Sequence, residues 1–497
     1  MKLDRFQPVI RHIEEPHIEV GEEIAVPEPK MGWTLLGPLG NKSTQYDIKL
    51  GLIGDTVSLE KTRNLIDRLN MTTYGKDKTF LHVDFPGLER FRIRLQVKAI
   101  AEVDGEKIKE QMEKSTSLSS RIELFSLIID EKVRALMDKD PSPDVLILAY
   151  PKIVDYYCIE GAVGHRGISR KSSLEKEIER ERRLHRPLDQ FFGMPPPQNI
   201  FKPTDLRSMV KVICMKYNIP IQILRPYTTE PYNSDKPTRE DDATTFWNLI
   251  VALFYKSNHI PWKVKELMAN TCYIGISFFR DRADPSSVKT ALSQVFSLDT
   301  EGYVFKGGKA NTDEDRTLHI SKEEAASRIK QAISVYTNSN GHPPQRIVVH
   351  KTSKFNLAEK EGFKESLDKE SILDLVAFGT RNIKLVRWGE KPPIRGTMVR
   401  LSDDSVLLYT YGFIPYLGVY PGPRVPSPLE ILEHFGNTSI DTICSEILAL
   451  TKLNWNNAKF CSKAPITIGF ARRVGEIMRN APPNADKDIQ NKLKFFI

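Results

Sequence analysis

Two groups of residues in this 497-residue chain bear on chemistry. The first is cationic. Arg207 and Lys211 are four apart in a helical pattern over 205–217, so they share one face. Gln222 follows in the apolar strand 219–224, and Lys256 closes the strongly apolar helical run 241–256, just ahead of Pro261 and Trp262. Clustered cations with an amide donor suit a terminal phosphate, which carries close to two negative charges and several acceptor oxygens. Helix N-termini can add N–H donors. Taken singly, each of these residues reads first as an ordinary surface side chain.

The second group is marked by a deficit. Two-metal hydrolysis of a phosphodiester needs several carboxylates to hold the cations. The apolar strand 272–279 (CYIGISFF) carries Ser277 and no acid, and 346–351 (RIVVHK) ends in His350 and Lys351. A Lys in a metal site opposes cation binding directly. Asp281 becomes a ligand only in a slipped register, and Asp313, Glu314 and Asp315 read as a solvated loop.

Composition narrows the field. Apolar content is 40%, charged content 27% and net charge +8, which is ordinary for a globular protein and permits a polyanionic partner without requiring one. The five cysteines (Cys158, Cys214, Cys272, Cys444, Cys461) are scattered and form no CxxC pair, and the ten histidines show no ligand spacing. A disulfide framework or zinc site is not expected, and a reducing cytoplasm fits best. No apolar run approaches the roughly 18 residues of a membrane span, and MKLDRFQPVIRHIEE has no signal-peptide core.

The elements that must position these residues alternate. Residues 1–40 read as an extended lead-in with isolated strands. Strands are predicted over 47–53, 80–85, 91–97, 144–151 and 219–224, with helices over 58–69, 118–137, 205–217 and 241–256. Such alternation points to a mainly parallel α/β sheet. A domain boundary is placed near Met268. Beyond it we expect the strand 272–279, a helix or helical turn over 288–296, a strand over 302–307 and a helix over 321–340 with a Ser321/Glu324 capping box. Strands follow over 346–351 and 383–388, then a hairpin of 397–401 with 406–411. Two helices are expected within 427–453, a strand over 465–470 and a helix over 471–478. An irregular, charged segment spans about 158–203. Its GHRGISRKSSLEKEIERERRLHR tract is either a solvated helix in a surface insertion or a contact for nucleic acid or another subunit.

Several tracts together resemble one family. LALTKLNWNNAKF followed by APITIGFARRVGEIM, and RIVVHKTSKF after a long helix, resemble PIWI domains. FWNLIVALFYKSNHIPW resembles the MID helix that leads into PIWI in Argonaute proteins, and the lead-in EEPHIEVG…PKMGWTLLGPLG resembles the start of short prokaryotic Argonautes. The resemblance covers nearly the whole chain, least at 158–203. It implies an α/β fold with a Rossmann-like MID domain (41–268) followed by an RNase H-like PIWI domain (269–497). It further implies that Lys211, Gln222 and Lys256 match the family's guide 5′-phosphate ligands, with Arg207 where many relatives have an aromatic residue or His. The apolar end KLKFFI would bring the terminal carboxylate of Ile497 to this pocket, frequently through a divalent metal, here Mg²⁺. Ser277 and Lys351 would be the degenerate positions of a PIWI catalytic set, leaving no cleavage activity.

The implied function is recognition of target single-stranded DNA by a guide RNA. Target binding would activate a partner carrying an APAZ domain with a TIR or Sir2 NADase or a nuclease, in prokaryotic defence against plasmids and phage. Protein and partner would form a heterodimer that assembles further on target. An active guide-dependent endonuclease and a plain α/β small-ligand or scaffold protein are the alternatives.

Overall fold

The computed structural model describes the chain apart from residues 1–7, 42, 78, 80, 160–202, 233–239, 281–287, 297–301, 315–316, 380–382, 390, 403–404, 423, 483–484 and 486–488, with backbone alone at 291–296 and 305–307. In chain order the first half runs β1 (Val9–His12), β2 (Ile18–Val20), β3 (Ile24–Val26), α1 (Pro29–Leu36), β4 (Tyr46–Gly54), α2 (Thr56–Leu69), β5 (Ile93–Glu102), α3 (Gly105–Lys114), α4 (Leu118–Met137), β6 (Val145–Ala149), α5 (Lys152–Cys158), α6 (Leu206–Lys216), β7 (Ile221–Leu224), α7 (Pro226–Thr229), α8 (Asp242–Lys256) and β8 (Lys263–Val264). The second half runs β9 (Thr271–Arg280), β10 (Val288–Phe296), β11 (Tyr303–Lys309), β12 (Asn311–Thr312), β13 (Leu318–His319), α9 (Lys322–Asn340), β14 (Arg346–Lys351), α10 (Leu357–Glu365), β15 (Ile372–Gly379), β16 (Thr397–Arg400), β17 (Val406–Leu408), β18 (Leu429–Phe435), α11 (Ile440–Leu450) and α12 (Ile466–Asn480).

Two main sheets organise these elements. The first has the order β5-β4-β6-β7, all parallel. Its central strands β4 and β6 are buried on both faces, as crossover helices require, while the edge strand β5 is partly exposed. Asp55, Ser117, Asp205 and Asp241 each cap the helix that follows by accepting a backbone N–H, which fixes where α2, α4, α6 and α8 begin. The second sheet has nine strands in the order β1-β16-β17-β18-β15-β14-β9-β10-β11. β9, β14 and β15 are parallel there, and β10 and β11 continue the sheet antiparallel. This is the α/β architecture anticipated, a doubly wound parallel sheet and then an RNase H-like mixed sheet.

The lead-in is woven into both. β1 lies on the outer edge of the large sheet, paired with β16, while β2 joins β3 and β8 in a small sheet. Trp33 of α1 is buried among Phe91, Trp247, Phe254 and Trp262. One apolar cluster runs from Leu50 and Phe254 through Tyr273 and Ile447 to Ile497. The end of the chain is therefore part of the core.

Some local expectations fail for identifiable reasons. Residues 288–296 form strand β10, paired along its length with β9, so sheet pairing overrides an indistinct local pattern. The β-branched ITIGF opens helix α12, because Ile466, Phe470, Val474 and Ile477 form one buried helical stripe. The first of the two helices expected within 427–453 is strand β18. No strand forms over 383–388, and 80–85 supplies only a bridge from Phe85 to Thr73. At α9, Ser321 accepts from Glu324 N, yet the Glu324 carboxylate turns to Gly308 N and Arg328, so the box is half closed. The full capping box is Asn356 with Glu359, at α10.

Candidate functional site

Helix α6 places Arg207 and Lys211 one turn apart, β7 supplies Gln222, and α8 ends at Lys256. The three elements converge on one open cleft of about 1120 Å³, which all four residues line together with Ile497. Lys211 is 2% exposed and Lys256 1% exposed, although both are cations. Lys256 Nζ donates to Gln222 Oε1 at 2.6 Å. Lys211 Nζ donates to the main-chain oxygens of Phe496 and Ile497 at 2.8 and 2.6 Å. The predicted residues are thus brought together, with Arg207 exposed at the mouth.

The electrostatics are unbalanced. Burial pulls the Lys211 ammonium well below its usual range, and Arg207, Lys256 and Arg473 push it further down. Lys256 falls to about 7, by burial first and then by repulsion from Arg207 and Arg473. Arg473, on α12, was not anticipated from the sequence. Burial lowers its pKa too, and its Nη1 is buried with no hydrogen-bond partner. The signal for it, a basic pair within the helical stripe of ARRVGEI, becomes visible only once α12 is known to pack against α6. Arg207, Lys211 and Lys256 therefore line one cleft, with Arg473 near enough to repel both lysines. The carboxylates at its rim are already committed. Asp205 caps α6, Glu230 pairs with Lys61, and Glu240 pairs with Lys459 and Asn248. A buried cluster of like charge with an unpaired donor is stabilised by an anion.

Mg²⁺ at Ile497 fits these residues poorly. Lys211 already holds the Ile497 oxygen, the surrounding charge is positive, and among the described residues no group of three or more His, Cys, Asp or Glu converges.

The second anticipated pair is not brought together. Along β9, Cys272, Ile274 and Ile276 pack toward α9 and α10, whereas Tyr273 and Phe279 pack on the opposite face, where Phe279 meets Gly475 of α12. By this alternation Ser277 faces α12. On β14, Ile347 and Val349 share the face of Ile274, and Lys351 follows them. Lys351 is fully buried and bonds both oxygens of Glu359 on α10 at 2.6 and 2.7 Å, beside His319. Ser277 and Lys351 thus lie on opposite faces of the sheet and are not two positions of one metal centre. The residue of β14 on the Ser277 face is His350, which meets Thr467 Oγ1 of α12 at 2.8 Å and is held neutral by burial, its pKa drawn down to about 3. The anticipated fourth position at Phe470–Ala471 also lies in α12, apolar and buried. Asp281, Asp315 and the charged segment 164–186 lie outside the described residues.

Fold and cleft define an α/β protein with two main sheets and a cationic cleft lined by α6, β7, α8 and the chain end. No protein-family model matches the chain. A curated protein named Protein argonaute, from Aquifex aeolicus (strain VF5), is 24% identical over 286 residues, 57% of this chain and 37% of that protein. The structure of Clostridium butyricum Argonaute bound to a guide DNA and a 19-mer target DNA matches with a TM-score of 0.63 at 16% identity, over 97% of this chain and 54% of that one. The crystal structure of Drosophila Piwi matches with a TM-score of 0.58 at 13% identity, over 98% of this chain and 56% of that one. The chain spans 37% of the curated relative's length and about half of the solved ones. The mixed α/β architecture of the chain thus matches that of the Argonaute and Piwi structures along nearly its whole length.

Proposed function

We propose that this chain binds the 5′ end of a guide RNA in the α6–α8 cleft and uses the guide to recognise single-stranded target DNA without cutting it. The observation that carries the reading is the lining of one cleft by Arg207, Lys211 and Lys256, with Gln222 bonded to Lys256 and with Arg473, whose Nη1 donor is unpaired, near enough to repel both lysines. A 5′ phosphate supplies the missing charge and acceptors. The solved relative whose title names a guide and a target DNA shares the fold over 97% of this chain, which supports a nucleic-acid ligand. Specificity then rests in base pairing, while the protein reads backbone and shape.

The non-cleaving reading is supported by Ser277 and His350 facing α12 from strands β9 and β14, while the buried carboxylates described on that side of the sheet, Asp374 and Glu446, are both held by Arg346. We read 41–268 as MID and 269–497 as PIWI, the short form of the family, since β8 closes on β2 before β9 opens the second sheet. In this reading an APAZ-bearing effector supplies the output in the cytoplasm. The support for that partner is the sequence resemblance, together with the need for another chain to report target binding once this one does no chemistry. The test is guide binding by the purified protein. A 5′-phosphorylated guide RNA should bind far more tightly than its 5′-hydroxyl counterpart, and an effector protein should co-purify from the native host. Equal affinity for the two guides overturns the pocket assignment.

A further inference from the structure

The chain has five tryptophans. Trp33, Trp247, Trp262 and Trp455 are each at most 1% exposed, whereas Trp388 is 98% exposed and its neighbour Val386 93%. The loop that carries them, between β15 and β16, is tied down at its base. Leu385 N donates to Tyr409 Oη at 2.7 Å, Phe413 N to Pro393 O at 2.9 Å, and Arg395 N to Phe413 O at 2.9 Å. Arg387 and Lys391 each sit 5.7 Å from the Phe413 ring centre. Gly389, at φ +100°, turns the chain directly after Trp388. The loop therefore holds an indole out into solvent from a fixed base.

Its surroundings are basic. Lys384, Arg387 and Lys391 are all exposed. The core of a protein–protein contact is enriched in Trp and Arg but depleted in Lys, of which this loop exposes two. An aromatic platform interleaved with cations is instead the composition of a single-strand nucleic-acid surface, where the ring stacks on a base and the cations hold phosphates. The base of the loop also bonds to the segment that leads to the cleft. The buried Arg395 guanidinium donates to Leu448 O and Thr451 Oγ1. A few residues further on, Trp455 packs on Tyr255 and Asn456 lines the cleft.

We propose that Trp388 is a stacking platform for a nucleobase, with Lys384, Arg387 and Lys391 on the flanking phosphates. This deepens the function proposed above, and rests on it for the identity of the bound strands. The test uses the full-length protein and iodide quenching of tryptophan fluorescence, because Trp388 is the one tryptophan open to iodide. Trp388→Phe should abolish the quenchable fraction of the free protein. Three arms are compared: guide RNA, guide RNA with complementary DNA, and unguided single-stranded DNA at low salt, which does not depend on the 5′ pocket. Trp388 should become protected in the unguided arm and in at least one guided arm, and the two guided arms tell which strand reaches it. Trp388→Ala should weaken that strand's binding about 5- to 100-fold, with Trp388→Phe within about 3-fold of wild type and both melting as wild type does. If Trp388 stays quenchable in all three arms, or Trp388→Ala binds every strand normally, the platform is overturned, while phosphate-dependent guide binding would still stand. Protection that depends on protein concentration without nucleic acid, or that needs an added partner protein, overturns it in favour of a protein contact.

Discussion

Lys211 Nζ donates to the main-chain oxygen of Ile497 at 2.6 Å, across 286 residues of sequence. Helix α6 fixes one end of this lysine, and the buried end of the chain fixes the other. The ammonium is thus held at the cleft wall before any ligand arrives, so little side-chain entropy remains to be lost on binding. Lys256 is held in the same way by Gln222.

Removing both ammonium groups should therefore act on the phosphate and not on the rest of a guide. Lys211→Ala with Lys256→Ala should cost about 1.5–3 kcal/mol for each charge-assisted contact with a 5′-phosphorylated guide. The loss for a 5′-hydroxyl guide should be much smaller. Titration of the two guides against wild type and double variant checks this, and equal losses would refute it.

Arg473, on the helix packed over the second sheet, gives a separate test of the same group of cations. Its Nη1 lacks a partner in the free protein, so Arg473→Gln should leave the melting temperature unchanged or raise it, while reducing discrimination between phosphorylated and hydroxyl guides. A variant that melts much lower and discriminates normally would make Arg473 a packing residue only.

The pH dependence has a definite sign. The Lys256 pKa lies at about 7 in the folded chain, below its ordinary 10.5. Between these values the unfolded chain binds more protons, so this residue makes stability rise with pH from about 7 to 10.5 and level off above that range. The cost of burying the charge is fully present below about 7. A bound phosphate favours the charged form, so guide binding takes up a proton above neutrality and should weaken from pH 7 to pH 9. In Lys256→Met both slopes should be shallower, as measured by melting temperature and by guide affinity across that range. An unchanged pH profile in the variant would place the titration elsewhere.

The sequence carried the pocket better than it carried the sheet faces. Helical spacing put Arg207 and Lys211 on one side, and Asp205 and Asp241 mark where α6 and α8 begin. The residues 118–137 were legible because a capped, amphipathic twenty-residue run has few competing structures. Arg473 was not legible, since it comes near Lys211 and Lys256 only through the packing of α12 on α6, an event with no local signal. Nor could linear reading separate Ser277 from Lys351. Each sits on an apolar strand, and the side that each faces depends on the β9–β14 register of His350 with Gly275 and Lys351 with Ile276.

That register yields the last prediction. Lys351 and Glu359 are both fully buried, and the pair is surrounded by His319 and the Phe278 and Phe355 rings. Burial pulls the Lys351 ammonium down and Glu359 opposes that pull. Glu359 also accepts from Ile320 N and Asn356 N, so its carboxylate ties β13, β14 and α10 together. The lysine is then a structural ion on the α10 face, not the remnant of a nuclease on the α12 face. Lys351→Met leaves Glu359 buried without its counter-ion and should cost about 3–5 kcal/mol of stability. Adding Glu359→Gln keeps the backbone acceptor and removes the stranded charge, so the double variant should recover more than half of that loss. Neither change should affect the Ser277 side of the sheet. With Mg²⁺ or Mn²⁺, wild type and Lys351→Asp with Ser277→Asp should alike leave a guide-matched target uncut, because the two new carboxylates would sit on opposite faces and could not share a metal. Guide-directed cleavage by that double Asp variant would show that the two positions do converge and would overturn the assignment of faces. A Lys351→Met variant as stable as wild type would remove the ion pair from its structural role.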